Sequence, residues 1–497
     1  MAFLRRNLPV FFVFSMFLGG MAALKVWSLH SSFADLGLFD WNIDAIASVG
    51  QWQFALGGHV QPLMFLFGGL YAIGGNNSYW LVIIQAVFLA MPLLFLPSLI
   101  CHAAIPKDTV GKIYGSVSLW LPSLAYSFYF PVWFNALFDF HMDHLAVPLG
   151  FSFYLACFNK RWALAVMAGV ALSLVKEPFA LMTIGCGMYI LCRQLADRTS
   201  ESIGQKVPPY LAGIFLVLFG AVYFHLAINC ISPYFTGGQR IGIEGSAYSW
   251  MGGSFSEILG YLVIHPLQVV REIIGTPRKL VYAGAVLGAL AFVPLLSPIE
   301  LIPALPVLAI SLLSRIDNYY GLAHHYTAGL IAPFMVAFVL GLPRAYRLFG
   351  RFGLGRIKCT ISLVSVMVII HVLLSPSPVS RFFWTGKVWQ YSNDAYVSTQ
   401  RDKIIKQAIL EYVPANINIA VAMQNTVNMS YLVQRKNPLV FPNGVLFAAP
   451  MPDLTRKGKP HPVRAEYVVL DFNRPWYLDD KGCDWLYGKC QDPLKGW

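Results

Sequence analysis

Apolar runs recur along the whole chain, and they constrain its fold more than any other feature. They fall at 8–29, 61–75, 79–101, 113–135, 144–158, 162–192, 208–233, 280–297, 299–314, 328–343 and 359–376, with a weaker one at 258–270. A helix needs about twenty apolar residues to cross a bilayer core. Hydrophobic residues make up 57% of the 497 and charged residues only 12%, too little charge to cover a soluble protein of this size. The expectation is an all-α polytopic membrane protein with 10–13 transmembrane helices over residues 1–376. Several runs are short and rich in proline (Pro294, Pro298, Pro303, Pro306). Such helices break or re-enter where protein rather than lipid surrounds them.

The net charge of +12 does not point to nucleic acid. The basic residues sit in short clusters between apolar runs, at Lys160-Arg161, Arg193 to Lys206, Arg271 to Lys279 and Arg344 to Lys358, as cytoplasmic loops do. Arg5 and Arg6 precede the first run, and no small-x-small cleavage site follows it, so it reads as a retained anchor. On this basis Phe138 to His144, Asp317 to Tyr326 and everything after Ser375 lie outside. Strict alternation fails twice, which suggests that 61–75 or 113–135 does not cross simply and that 280–314 crosses once with a kink.

Residues 377–497 form a more polar unit. Asn418-Ile-Ala-Val-Ala, Pro438-Leu-Val-Phe and Glu466 to Asp471 read as short strands and Thr399 to Tyr412 as a helix, together a small C-terminal α/β domain. It has no Gly-rich phosphate loop. Cys483 and Cys490 stand apart from the six cysteines in or beside apolar runs. A disulfide between them is expected, with free thiols as the alternative, and requires an oxidising compartment.

Between Lys25 and Lys107 the chain carries no Lys or Arg, yet Asp35, Asp40 and Asp44 follow the first span. At spacings of five and four they share a helix face, with Leu36, Phe39 and Ile43 turned toward lipid. Simple helix solubility is one reading; general-base catalysis or divalent-cation binding is the other. His59, followed by Pro62, opens the next apolar run, where a helix-start role is equally open. In Asp139-Phe-His141-Met-Asp143-His144 the two histidines are one turn apart, able to present two imidazoles and a carboxylate. Lys176-Glu177 reads as an ion pair inside an apolar stretch, catalytic or structural. Tyr319-Tyr320 with His324-His325-Tyr326 is either an aromatic belt or a surface for sugar stacking and pyrophosphate. Arg240 and Glu244, in a Gly-rich loop, complete the outward charged candidates.

In this order, Asp35-Leu-Gly-Leu-Phe-Asp40, His59 with Pro62, Phe140-His141-Met-Asp143, Lys176-Glu177, His325-Tyr326 and the tail Ala465 to Asp471 resemble a bacterial membrane family, DUF2079. That family is similar in turn to GT-C glycosyltransferases, which take a sugar from a polyprenyl-phosphate donor on the outer membrane face. The resemblance implies a catalytic carboxylate in the first outer loop, at Asp40 or Asp35. It further implies substrate contacts from His59, His141, Asp143, Glu177, Arg240, His324, His325 and Tyr326. Whether a divalent cation takes part is left open by the sequence; if magnesium or manganese is used, Asp35, Asp40 and His141 are the candidate ligands. The partners implied are membrane lipid, the lipid-linked sugar and a glycan, lipid or protein acceptor, in a bacterial inner membrane with the C-terminal domain extracytoplasmic. The rival class is a transporter or flippase of a lipid-linked or anionic solute, which would carry charges near the midplane and often repeat symmetry.

Overall fold

The computed structural model describes residues 2–75, 77–100, 120–196, 208–236, 247–385 and 391–412, with three short segments beyond. It is a helical bundle, and among the described residues six helices are long and apolar enough to cross a membrane. The first is α1 (Ala2–Trp27). After it, α2 (Leu38–Val49), α3 (Met64–Gly74), α4 (Ser78–Ala90) and α5 (Pro92–Ile100) follow in sequence. The middle of the bundle is α6 (Leu121–Ser127), α7 (Phe130–Leu137), α8 (Ala146–Phe158), α9 (Trp162–Val175), α10 (Phe179–Ala196) and α11 (Pro209–Leu226). The last part is α12 (Phe255–Ile264), α13 (Pro266–Ile274), α14 (Pro277–Gly288), α15 (Leu305–Leu313), α16 (Ala328–Arg351), α17 (Arg356–Leu374) and α18 (Gln400–Tyr412).

Apolar side chains drive no helix association in lipid, so close packing of small residues does. The α10–α11 pair shows this. A Cβ on Gly187 would lie 2.5 Å from the Gly213 carbonyl oxygen, and one on Gly220 would lie 2.6 Å from that of Ala180. α16 is the central helix: its span is 89% buried, against 22% for α17 on the periphery.

Helix direction sorts the polar residues between two ends of the bundle. α1 finishes, α8, α10 and α16 begin, and α9 stops at one end, which gathers Lys25, Asp143, Lys176, Glu177 and His325. The opposite end collects Lys160-Arg161, Arg193 and Arg344 to Lys358. There Arg193 pairs with buried Glu300 at 3.3 Å, while Arg344 and Glu300 share the Ser297 hydroxyl at 2.9 and 2.7 Å.

Two topological expectations change. The 280–314 stretch is a hairpin, not one kinked crossing. Arg278 at the start of α14 pairs with Asp317 beyond α15, whereas Ser297 and Glu300 between them reach the Arg193–Arg344 end. The Arg271–Lys279 cluster accordingly belongs with Asp317 and the site, not with the basic loops. Its charges are met locally: Glu272 pairs with Lys279 at 3.7 Å and with Arg315 at 3.1 Å. The 61–75 run contributes only α3, eleven residues or about 16 Å, against a core of about 30 Å. It adds no crossing, and that removes the other break in alternation.

Of the tail, the structure describes 377–385, 391–412 with α18 at its end, and three strands, β1 (Val421–Gln424), β2 (Pro438–Phe441) and β3 (Tyr467–Val469), paired in parallel in the order β2-β1-β3. Cys483 and Cys490 lie outside the described residues.

Candidate functional site

The acidic segment after α1 enters the protein rather than lying on it. Leu36 and Ile43 are fully buried and Phe39 packs edge-on against Phe140 and His141. The face expected to meet lipid therefore meets the core. Asp35 sits in a π-turn, Phe33–Gly37, ahead of α2, and that change of local geometry separates it from Asp40 and Asp44, which stay one turn apart within α2. Asp35 turns toward His141, with Oδ1 3.3 Å from Nε2. Asp40 turns the other way and accepts from the Tyr71 hydroxyl at 2.6 Å.

His141 is the hub. Its backbone is extended (φ −143°, ψ 144°), leading into the 3-10 turn Met142–Leu145. His141 and His144 consequently do not share a helix face. His144 Nδ1 donates back to the His141 carbonyl, and its ring is buried against Phe67 and Phe140. The His141 backbone N–H donates to Gln85 Oε1 (3.1 Å), and the same amide's Nε2 donates to the Asn135 carbonyl at 2.9 Å. Both ring nitrogens of His141 face acceptors, Asp35 on one side and the Asp139 carbonyl at 3.2 Å on the other.

His325 stacks on His141 with centroids 3.6 Å apart and planes 17° from parallel. Its Nε2 is 4.0 Å from Asp143 Oδ1, and Lys176 Nζ is 3.5 Å from the other carboxylate oxygen. A continuous line of ionisable groups thus runs Asp35–His141–His325–Asp143–Lys176. His325 Nδ1 is buried with no hydrogen-bond partner among the described residues, so a polar atom of the site is left for something else to satisfy.

Lys176 and Glu177 do not pair with each other, because Lys176 is extended (φ −169°, ψ 144°) and throws the neighbouring side chains apart. Glu177 instead accepts from His59 Nδ1 at 2.6 Å and from the Val60 amide at 3.0 Å. The turn before His59 needs a left-handed residue, supplied by Gly58 at φ 81°, where L side chains are strained. The Leu63 amide then donates to Leu174 O at 3.1 Å, joining this loop to the end of α9.

A second buried pair supports the first loop. Lys25 Nζ donates to the Leu137 carbonyl (2.8 Å) and lies 3.4 Å from Asp139 Oδ1, while Asp139 Oδ2 accepts from the Ser32 amide at 2.5 Å. Burial would raise both nearby carboxyls. It does so for Asp139, against the pull of Lys25. For Asp35 burial is outweighed by the hydrogen bond and charge of His141, with Ser32 and Lys25 assisting, and its carboxyl lies below the usual range.

Phe138 separates two groups of rings. It packs against His141 and His325 at 5.3 Å each and against His324 at 5.5 Å. Burial lowers the His324 imidazole, against the charge of Asp35. Tyr326 stacks on Tyr319 at 4.6 Å and borders His325 at 4.3 Å.

The structure therefore brings Asp35, His141, Asp143, His325 and Tyr326 together, with Glu177 and His59 adjoining through Lys176. Asp40 stands behind the site, and Arg240 falls outside the described residues. Among the described residues no three His, Cys, Asp or Glu side chains could hold one metal ion. With Asp40 turned to Tyr71, the set Asp35, Asp40 and His141 does not fit a magnesium or manganese ion. Lys25, Gln85 and Phe138 are site residues that sequence reasoning passed over. A lone amide in an apolar helix and a lone cation at a span end were the available signals.

A family model described as predicted membrane protein (DUF2079) covers residues 25–422, which takes in every site residue just described. The chain belongs to the DUF2079 family. No curated protein and no solved structure matches it. The matched span of this DUF2079 protein begins at Lys25, the residue that ties α1 to the site, and extends past α18 to β1.

Proposed function

We propose that this DUF2079 protein is a membrane glycosyltransferase of GT-C type, moving a sugar from a polyprenyl-phosphate donor to a hydroxyl of a glycan, lipid or protein acceptor. The observation that supports it best is the Asp35–His141 contact at 3.3 Å, set beside a stacked imidazole with an unsatisfied nitrogen. The site lies at the end of the bundle opposite the basic loops, which the positive-inside rule makes the outer, periplasmic face of a bacterial inner membrane. Residues 377–497 follow on that side as an extracytoplasmic α/β domain, bridged by Cys483–Cys490.

In this reading Asp35, ionised, accepts a hydrogen bond from the acceptor hydroxyl and aims its oxygen at the anomeric carbon. The new C–O bond forms as the bond to the donor phosphate breaks. The electron pair leaves on the phosphate oxygen, and the acceptor proton passes to Asp35. His141 and the Nδ1 side of His325 face the leaving phosphate, and Asp143 with Lys176 holds His325 in place. Asp40 steadies the loop through Tyr71, so the catalytic weight falls on Asp35 of the two carboxylates.

The rival is transport of an anionic or lipid-linked solute. The line of ionisable groups from Asp35 to Lys176 is the feature that favours it, since proton relays use such chains. Membranes carrying the protein, given radiolabelled polyprenyl-phosphate sugars, separate the two. Transfer to an endogenous acceptor that falls at least about 100-fold in Asp35→Asn, with Asp40→Asn retaining more activity, is expected. Undiminished transfer in Asp35→Asn, or solute uptake by proteoliposomes with no sugar transferred, refutes the enzyme reading.

A further inference from the structure

Beside the site lies a cavity of about 520 Å³ between α14, α17 and the 317–324 loop, within the range of ordinary small-molecule pockets. Its inner wall is made by buried Phe134 and Tyr391, 4% and 1% exposed, and by His324. Its sides are Val281, Leu374 and Phe382, and Val281 is 61% exposed at the outer edge. Apolar side chains dominate these walls, with few donors or acceptors for a free sugar or a polar peptide. The outward faces of the two flanking helices are apolar as well: Leu280, Ile369 and Leu373 are 47%, 56% and 40% exposed. The opening is therefore lateral, toward hydrocarbon.

Depth is marked independently. α13 has no buried residue and is too short to cross, so it lies along the interface with Leu267, Val270 and Ile274 exposed beside Arg271 and Glu272. It leads directly into α14, whose first turn carries Arg278 at the rim, paired with Asp317. The cavity mouth is thus at headgroup depth. His324, on the inner wall, touches the same Phe138 ring that covers His141 and His325. Gly321 permits this approach: a Cβ there would stand 3.0 Å from His324 Cδ2.

We propose that this cavity holds the phosphate-proximal hydrocarbon of a polyprenyl phosphate, with the phosphate turned inward past His324 and the rest of the chain leaving between α14 and α17 into the bilayer. The assignment rests on the glycosyl-transfer reading for the choice of lipid, and on the cavity alone for the place of its tail. A lipid without a phosphate would offer His324 and the unpartnered His325 Nδ1 no phosphate oxygen.

The test is photolabelling of the full-length protein in nanodiscs with a polyprenyl phosphate carrying a diazirine on its first isoprene units, followed by peptide mapping. Adducts should fall on 277–282, 320–324, 374–382 or Tyr391. Val281→Trp, a change at an exposed site that leaves the bundle intact, should cut labelling at least about tenfold by filling the cavity. His324→Gln should leave the adduct positions unchanged while weakening retention against competing unlabelled polyprenyl phosphate. Excess phosphatidylglycerol that displaces the probe as well as polyprenyl phosphate does would overturn the choice of lipid. Adducts elsewhere, or labelling indifferent to Val281→Trp, would overturn the site itself. Correct adducts in a protein that transfers no sugar would refute the enzymatic reading and leave the lipid site standing.

Discussion

Replacing Lys25 with methionine tests whether the first helix is held to the site by charge. Lys25 is 2% exposed and Asp139 5% exposed, so neither is helped much by water. The substitution keeps the length of the side chain and removes two donor contacts, to Leu137 O and Asp139 Oδ1. Asp139 would keep only the Ser32 amide. Breaking a buried pair by deleting one partner costs about 3–5 kcal/mol. Burial already raises the Asp139 carboxyl with Lys25 present; without the lysine it takes up a proton instead of standing charged, which places the cost near the lower end, about 3 kcal/mol. Lys25→Met with Asp139→Asn removes the need to protonate a buried acid and should recover at least about half of that loss, a coupling of roughly 1.5 kcal/mol. Reversible unfolding in mixed micelles with rising SDS, followed by tryptophan fluorescence, reads both numbers. A single-variant loss within about 0.5 kcal/mol, the ordinary surface range, or a double variant no better than the single, would show that the pair does not hold α1.

Glu177→Gln should cost transfer more than stability, roughly tenfold against about 1–2 kcal/mol, since it loses the charge facing His59 but keeps an acceptor for Val60; initial rates and the same unfolding assay compare them. Gly187→Val should abolish close α10–α11 packing and cost at least about 2 kcal/mol, visible as lost monodispersity on size exclusion and a lower Tm. Stability should fall as pH drops below about 6.5, in part because the folded state holds the His324 imidazole below its ordinary value and the unfolded chain binds the proton first; His324→Gln should make this limb of a Tm-versus-pH curve shallower. The Asp35 contribution has the same sign but a lower window: its folded carboxyl lies below 3.8, so that stability is complete above about 4 and is lost only as pH falls further.

The sequence showed the bundle and the gathering of its polar motifs because both follow from where apolar runs stop. Asp35, His141, Asp143 and His325 each sit a few residues from the end of such a run, and helices that begin or end together bring them together. Partner choice was not legible in the same way. Lys176 and Glu177 are neighbours in the chain, but one extended backbone step sends them to Asp143 and His59. Asp35 and Asp40 share a face only if the helix starts before Asp35, and the π-turn at Phe33–Gly37 cancels that register. The Arg271–Lys279 cluster resembled a cytoplasmic loop because its acidic partners Glu272 and Asp317 are interleaved or distant, so charge counting alone assigns it to the wrong end. Gln85 and Phe138 were hidden among apolar residues; only the fold brings one to the His141 amide and the other between two groups of imidazoles.

The distance along the chain between Lys25 and Asp139, 114 residues, has a meaning for biosynthesis. At a translation rate of about 5–20 residues per second, the lysine emerges some 6–23 s before its carboxylate exists. During that interval the α1 ammonium lacks its carboxylate and must reach the interface by stretching its stem toward water. Only after α7 has been made can α1 settle to its final depth, draw Ser32 onto Asp139 and bring Asp35 to His141. The helix that carries Lys25 is thus made well before the contact that fixes its final position can form.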